Sequence, residues 1–382
     1  MLRPTFDTAD IVRVHLPALL CAQPLTTEQA EVLKAITLCR TAALGGHTNH
    51  CVECGLCEDS SYNSCRNRHC PKCQALTQER WIEGRARAIL PIPHFHVVFT
   101  LPKEFRPLAR DHPRQIYDAL FRCTSATLLE MGRSRLGITL GITMVLHTWT
   151  RELLFHPHVH VLVSGGGLVP GGEEFKLTRE KFLLHQRPMG ELFRKKMLDA
   201  LRGMWEEGLF QMTEGAFGYL IARLAGQDWN IYLKEAFHTP ALVLAYIGRY
   251  THRVGISNSR ILDVKPDHVT FRSKDGRTVT LHPVVFLQRF VQHILPEGFK
   301  KIRHAGLYAS PKALAQAKAL VGEAPQDKPA AQPAWQEALL ALTGRDVRRC
   351  QACGGELHHT VLLPERIGSN RRPRSPTTGG PP

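Results

Sequence analysis

No stretch of this 382-residue chain approaches the roughly 18 consecutive apolar residues of a membrane-spanning helix, so an integral membrane helix is excluded. The opening residues, MLRPTFDTADIVRVHLPALL, hold acidic side chains and no small-residue cleavage site, which argues against a secretory signal. No phosphate-binding loop of the P-loop type is present, and no solenoid repeat recurs. Acidic residues are also scarce: 34 Asp and Glu face 49 Lys and Arg, a formal charge of +15. Such an excess points to a polyanion, nucleic acid first, although a basic soluble surface gives the same count. A hydrophobic content of 43% is enough for a genuine core. A cytoplasmic, nucleoid-associated protein is expected, with 11 cysteines kept for metal or as reduced thiols rather than disulfides.

Thr26, with Gln29 three residues on, reads as a capping box, opening a helix that Gly45 and Gly46 would close. A Cys/His-rich segment follows from His47 to Cys73. Three apolar runs rich in β-branched and aromatic residues, HFHVVFTLP, LGITLGITMVLHTWT and FHPHVHVLVSGGG, read as strands. Helical patterns lie around 114–133, from Glu180 to Leu224 and from Thr239 to His252. A hairpin turns at Asp275-Gly276, and VVFLQRFVQHIL reads as a further helix. Strands interleaved with helices, without a regular βαβ rhythm, predict an α+β fold with an antiparallel sheet. The expected division is a helix and zinc-binding module over 1–90, a main domain over 91–310, a linker with a small CxxC motif over 311–365, and a disordered tail over 366–382.

Cys51-x2-Cys54 and Cys70-x2-Cys73 are two thiolate pairs with fifteen residues between them, the spacing at which two knuckles can close one structural Zn²⁺ site. His47, Cys57, Cys65 and His69 share the segment, so a second ion or another choice of four ligands stays open. Cys350-x2-Cys353 stands as a half-site, with His358 and His359 as partners within reach.

On a strand, His156, His158 and His160 share one face while Val159, Val161 and Val163 take the other. His158-Val159-His160 can therefore offer two imidazoles to one divalent cation. Isolated pairs of this kind more often belong to satisfied or solvent-facing histidines, and the chain carries another at His94 and His96. A hairpin turning about Glu152-Leu153 would set His147 opposite His158 as a third ligand; a register slip would offer Glu152 or His156 instead. Further on, Thr239 and Pro240 open a helix on which Tyr246 and Tyr250 share a face with Arg249 and Arg253. A core aromatic stripe is the ordinary explanation of that spacing, yet arginine is rarely buried unpaired. Phenols beside guanidiniums can act on a phosphodiester, the cations binding phosphate and favouring phenolate.

Taken together, GGHTNHCVECG, YNSCRNRHCPKCQ, HFHVVFTLP, LHTW, HPHVHVLVSGGG, YIGRYTHRVGISN and FVQHILPEGFKKIRHAGL resemble the two-tyrosine, His-hydrophobic-His rolling-circle transposases of the insertion sequence ninety-one family, over about Gly45 to Leu307. The resemblance implies an N-terminal zinc-binding domain, then a nuclease domain whose central antiparallel sheet carries the His pair. It implies His158 and His160 as ligands of Mg²⁺ or Mn²⁺, the third ligand not being fixed by the family pattern. It also implies Tyr246 and Tyr250 as nucleophiles that cleave single-stranded DNA at element ends, leaving 5′-phosphotyrosine links and 3′-hydroxyls, with a host helicase as partner. A plasmid replication initiator or relaxase would share this chemistry. A zinc-ribbon DNA-binding regulator would not need it.

Overall fold

The structure, a computed structural model, describes residues 5–56, 60–73, 81–82, 84–85, 88–179, 183–237, 255–273, 275–322 and 334–365. Its strands are β1 (Gly46–Cys51), β2 (Ser61–Tyr62), β3 (His94–Thr100), β4 (Thr139–Trp149), β5 (Phe155–Leu168), β6 (Phe175–Leu177), β7 (Ile231–Phe237), β8 (Ile261–Val264), β9 (Val269–Arg272), β10 (Thr278–Leu281), β11 (Ile302–Gly306) and β12 (Leu357–Leu362). The fold is α+β with antiparallel sheets, as the sequence predicts.

The central sheet runs β11-β4-β5-β3-β7, every neighbour antiparallel, with β6 added to β5. Parity along these strands divides its faces. Val159, Val161 and Val163 of β5, Phe95, Val97 and Phe99 of β3, and Ile142, Met144 and Leu146 of β4 all enter the main core. They meet Ile116 and Leu120 of the helix Pro113–Met131 and Phe193, Met197 and Leu201 of the helix Gln186–Glu206. Each such side chain stabilises the fold by roughly 1.5–3 kcal/mol on full burial, so this face is fixed and the opposite one is left for chemistry.

A second core forms where the N-terminal helices, Thr8–Ala22 and Thr27–Leu38, pack on the small sheet β10-β9-β8 and the helix Pro283–Val291. Ile11, Leu19, Leu33 and Ile36 interdigitate there with Phe271, Phe286 and Phe290. The capping box is present: Gln29 N–H donates to Thr26 Oγ1 and Thr26 N–H to Gln29 Oε1. This helix stops at Leu38, well short of the expected glycines. Cys39 and Arg40, the latter at φ 57, turn the chain so that the Cys39 thiol leaves the helix towards other cysteines. The hairpin at Asp275-Gly276 joins β9 to β10 as expected. No helix among the described residues is long and apolar enough to cross a membrane.

The three glycines that end β5 have an internal reason. A Cβ at Gly165 would lie 2.7 Å from Pro93 O, at Gly166 2.7 Å from the Phe175 ring, and at Gly167 2.2 Å from Thr139 O. Neighbouring protein occupies that space, so packing within the sheet accounts for all three glycines. Gly306 is tighter still: φ is +58° and a Cβ would stand 1.9 Å from Leu140 O, across the β11–β4 pair. Left-handed backbone and overpacking together predict a loss of roughly 2–4 kcal/mol for Gly306→Ala. Urea unfolding measures it, and a loss below about 1 kcal/mol would show that β4 and β11 can separate at little cost.

Candidate active site and metal centres

On the open face of the central sheet, His156, His158 and His160 alternate with buried Phe155, Pro157 and Val159. β4 and β5 pair with His147 directly opposite His158, in a regular stretch from Ile142 to His147 that is bounded by register shifts towards Leu140 and towards Trp149. Leu153 turns the hairpin at φ 61, fully buried, so the turn is set by burial of a leucine rather than by a glycine.

The ligand nitrogens of His147, His158 and His160 fall within 4.8 Å of one another. His158 Nδ1–H donates to His156 O at 2.7 Å, which aims its Nε2 at the cluster. His160 Nδ1 lies 2.9 Å from His96 Nε2, their rings stacked at 5.1 Å and 9°. Burial, followed by the Lys234 charge, lowers the His96 pKa to about 4, so His96 is neutral and able to accept. In the tautomer where His160 Nδ1–H donates to His96, the His160 Nε2 lone pair faces His158 Nε2, 3.2 Å away. Glu152 and His156, the alternatives for a third ligand, stand outside this cluster. Glu152 is within 3.6 Å of Arg277, and His156 has its pKa lowered by burial and then by Arg106.

Three imidazoles converging beneath an open cleft suit a divalent cation that must keep positions free for a substrate oxygen. The cleft holds about 720 Å³, and Arg151, Lys234, Arg260 and Tyr232 line it beside the histidines. Arg260 ties its walls together, donating to the carbonyls of Arg272 at 2.6 Å, Gly255 at 3.3 Å and Arg151 at 3.1 Å. Trp149 stacks on His147 at 4.6 Å and carries Lys301 Nζ 5.0 Å above its ring. Burial, and then the Arg68 charge, lowers that lysine to about 7. His96, from the chain's other His-x-His pair, lies on the same face as His158 and His160, where β3–β5 pairing makes it a neighbour of that pair.

Tyr246, Tyr250, Arg249 and Arg253 lie outside the described residues. Their described flanks are placed. Phe237 pairs with His94 at one end of β3, and Gly255 lies against Leu153 in the β4–β5 turn, where a Cβ would come 2.9 Å from Leu153 Cδ2.

The cysteines require a correction. Cys51, Cys54, Cys70 and Cys73 do not form one site. Cys70 and Cys73 join Cys39 and Cys65, while Cys51 and Cys54 join Cys350 and Cys353. The first thiolate pair rides at the end of β1, which leads it to β12, and the helix Thr27–Leu38 delivers Cys39 to the second pair. In the Cys39 cluster, Cys73 Sγ is 3.2 Å from Cys39 Sγ and 3.6 Å from Cys65 Sγ. Hydrogen bonds from Cys39, Cys65 and Cys70 drive the Cys73 thiol well below its usual range, towards the thiolate a metal needs. Four clustered thiols fit structural Zn²⁺. Cys57 lies outside the described residues. His69 is no ligand; its Nε2 accepts from Leu295 N–H at 3.0 Å. Nor is His359, whose Nδ1 is 2.7 Å from Asn49 Oδ1. His47 and His358 also stand outside both clusters. Cys39 has no close cysteine in the sequence and offered no signal, whereas the run Cys65-x4-Cys70-x2-Cys73 did.

Residues 11–101 match the family described as "Transposase zinc-binding domain" and residues 141–315 match the family described as "Putative transposase". A Sinorhizobium fredii (strain NBRC 101917 / NGR234) protein named "Putative transposase y4qJ" is 39% identical over 376 residues, 92% of this chain and 94% of its own length. "Transposase for insertion sequence element IS801" of Pseudomonas savastanoi pv. phaseolicola is 30% identical over 358 residues, 88% of this chain and 84% of its own. No solved structure matches the chain.

Proposed function

Because the chain belongs to the transposases of the insertion sequence ninety-one (IS91) family, we propose that it cleaves and rejoins single-stranded DNA at the ends of its element by tyrosine-based transfer. The observation that carries this reading is the convergence of His147, His158 and His160 under a cationic cleft, on the sheet whose strand β7 ends at Phe237, ahead in sequence of Tyr246 and Tyr250.

In this reading His158 and His160, with His147, hold Mn²⁺ or Mg²⁺, which when bound polarises a phosphoryl oxygen. His96 and the His156 carbonyl fix the two imidazoles by engaging their Nδ1 atoms, so both Nε2 lone pairs stay aimed at one point. Arg151, Lys234 and Arg260 lower the cost of bringing a phosphodiester into the cleft. Arg249 and Arg253 add charge beside the phenols and favour phenolate. The oxygen of Tyr246 or Tyr250 attacks the scissile phosphorus, and the P–O3′ bond breaks. The strand leaves as a 3′-hydroxyl after taking up a proton, and the phosphate remains as 5′-phosphotyrosine. Attack of a 3′-hydroxyl on that link reverses the step, so one phosphodiester is exchanged for another and no ATP is consumed. The second tyrosine allows a second strand to be cleaved before the first is released. Duplex opening falls to a host helicase, since the chain carries no P-loop.

Labelled single-stranded element ends with Mn²⁺ or Mg²⁺ are expected to give a covalent protein–DNA adduct that survives denaturing electrophoresis. The Tyr246→Phe, Tyr250→Phe double variant is expected to give none, and an undiminished adduct in that variant would sink the proposal.

A further inference from the structure

We propose that Cys51, Cys54, Cys350 and Cys353 bind a second Zn²⁺, so that the chain carries two structural zinc ions and the second fastens its C-terminal strand to its N-terminal module. The inference is independent of the nuclease chemistry. The zinc-binding family match ends at residue 101 and leaves Cys350 and Cys353 without a role.

Distances decide between the chemical states open to four neighbouring thiols. Cys51 Sγ lies 3.5 Å from Cys353 Sγ, and Cys54 Sγ lies 3.7 Å from Cys350 Sγ. A disulfide needs about 2.05 Å. A tetrahedral zinc with bonds of about 2.3 Å sets its sulfurs about 3.8 Å apart. The spacing is that of a ligand shell, and all four Sγ atoms fall within 4.8 Å of one another.

The two halves are also built alike. Both read C-x-x-C-G, at Cys51 to Gly55 and at Cys350 to Gly354. Each glycine has positive φ, 73° at Gly55 and 77° at Gly354, which lets the chain fold back under its sulfurs. The glycine N–H donates to the carbonyl of the first cysteine, Gly55 to Cys51 at 3.0 Å and Gly354 to Cys350 at 2.9 Å. The first cysteine's N–H donates to the residue after the glycine, Cys51 to Leu56 O at 2.9 Å and Cys350 to Gly355 O at 2.8 Å. Each loop is thus a turn that presents two sulfurs on one side. β1 and β12 bring the two turns face to face over six antiparallel residue pairs, from Gly46 with Leu362 to Cys51 with Leu357.

Packing alone does not hold this assembly. Its buried apolar cluster is Cys51, Cys350 and Leu357, and two of those three are the cysteines themselves. A ribbon with so little core draws its stability from metal, because binding free energy is folding free energy at such a site.

The test uses the full-length protein purified without chelator. Native mass spectrometry is expected to show two zinc ions per chain, and the Cys350→Ser, Cys353→Ser variant one. The Cys51→Ser, Cys54→Ser variant is expected to lose that same ion, so combining all four substitutions costs one zinc and not two. Full retention of both ions in the Cys350/Cys353 variant, or additive losses in the combined variant, would overturn the shared site. A measurement without substitutions guards against misfolded variants: the wild-type chain exchanged with ¹¹³Cd is expected to give two resonances from four-thiolate environments, and a single such resonance overturns the proposal.

Discussion

Replacing His158 and His160 together with alanine is expected to reduce metal-dependent cleavage by at least ~10³-fold, about 4 kcal/mol of transition-state stabilisation. Thermal unfolding, zinc content and binding of single-stranded DNA should remain. The selectivity follows from the faces of β5: both imidazoles are half-exposed towards the cleft, and the valines between and beyond them carry the core. A smaller, informative loss is expected from His96→Ala, because His96 engages the Nδ1 side of His160 and is not itself one of the three clustered ligands. Removing an outer hydrogen-bond partner of a metal-bound histidine typically costs ~10–100-fold in metal affinity. The Mn²⁺ concentration for half-maximal cleavage should rise by that factor while the rate at saturating Mn²⁺ recovers. His96→Gln, which keeps an acceptor, should restore much of the affinity. Nitrogen donors also predict stronger activation by Mn²⁺ than by the harder Mg²⁺. Cleavage undiminished in the double alanine variant would remove these imidazoles from the chemistry.

Stability is expected to collapse on mild acidification, between about pH 6.5 and pH 4, through His94 and His293. Burial depresses both, each to about 4 against an ordinary value near 6.5. Each is held in its neutral form. His94 Nδ1–H donates to Ile92 O while its Nε2 accepts from the Tyr308 hydroxyl. His293 Nε2–H donates to Leu153 O, and its Nδ1 accepts from Thr148 Oγ1. In that pH interval the unfolded chain binds more protons than the folded one, so stability is complete above about 6.5, falls with pH, and levels off below about 4. Each histidine can account for roughly 3 kcal/mol at that limit, and the pair for a large share of the roughly 5–15 kcal/mol that holds a domain. Urea midpoints measured from pH 7 to pH 4.5 should drop steeply, and His293→Gln should flatten the slope. Equal midpoints at pH 6.5 and pH 5 would contradict it.

Local signals read most clearly in the sequence. The capping box at Thr26, the Asp275-Gly276 hairpin and the alternation through His160 are each complete within a few residues, and each appears as expected. The pairing of His147 with His158 was legible because a hairpin links its two strands directly. Pairings at long separation were not. β11 brings Ile302 to Val145, β12 brings Leu357 to Cys51, and no local spacing encodes either. Cysteine spacing misled for the same reason: two CxxC pairs close in sequence look like one site, yet each found its partners elsewhere, in Cys39 and Cys65 or in Cys350 and Cys353. The common glycine after Cys54 and Cys353 was the sequence's available hint. His96 was visible as a residue but not as a neighbour of His160, since that relation needs the β3–β5 register.

The pairing of β1 with β12 also orders events at the ribosome. β1 emerges early, but its partner lies some 300 residues later, Cys51 and Cys353 being 302 apart. At ~5–20 residues per second, the first module waits roughly 15–60 s for the strand that completes it. The central sheet, whose strands all lie between them, can assemble during that interval. A chain cut short by a premature stop would carry all the residues of the cleft and still leave β1 with an uncovered edge.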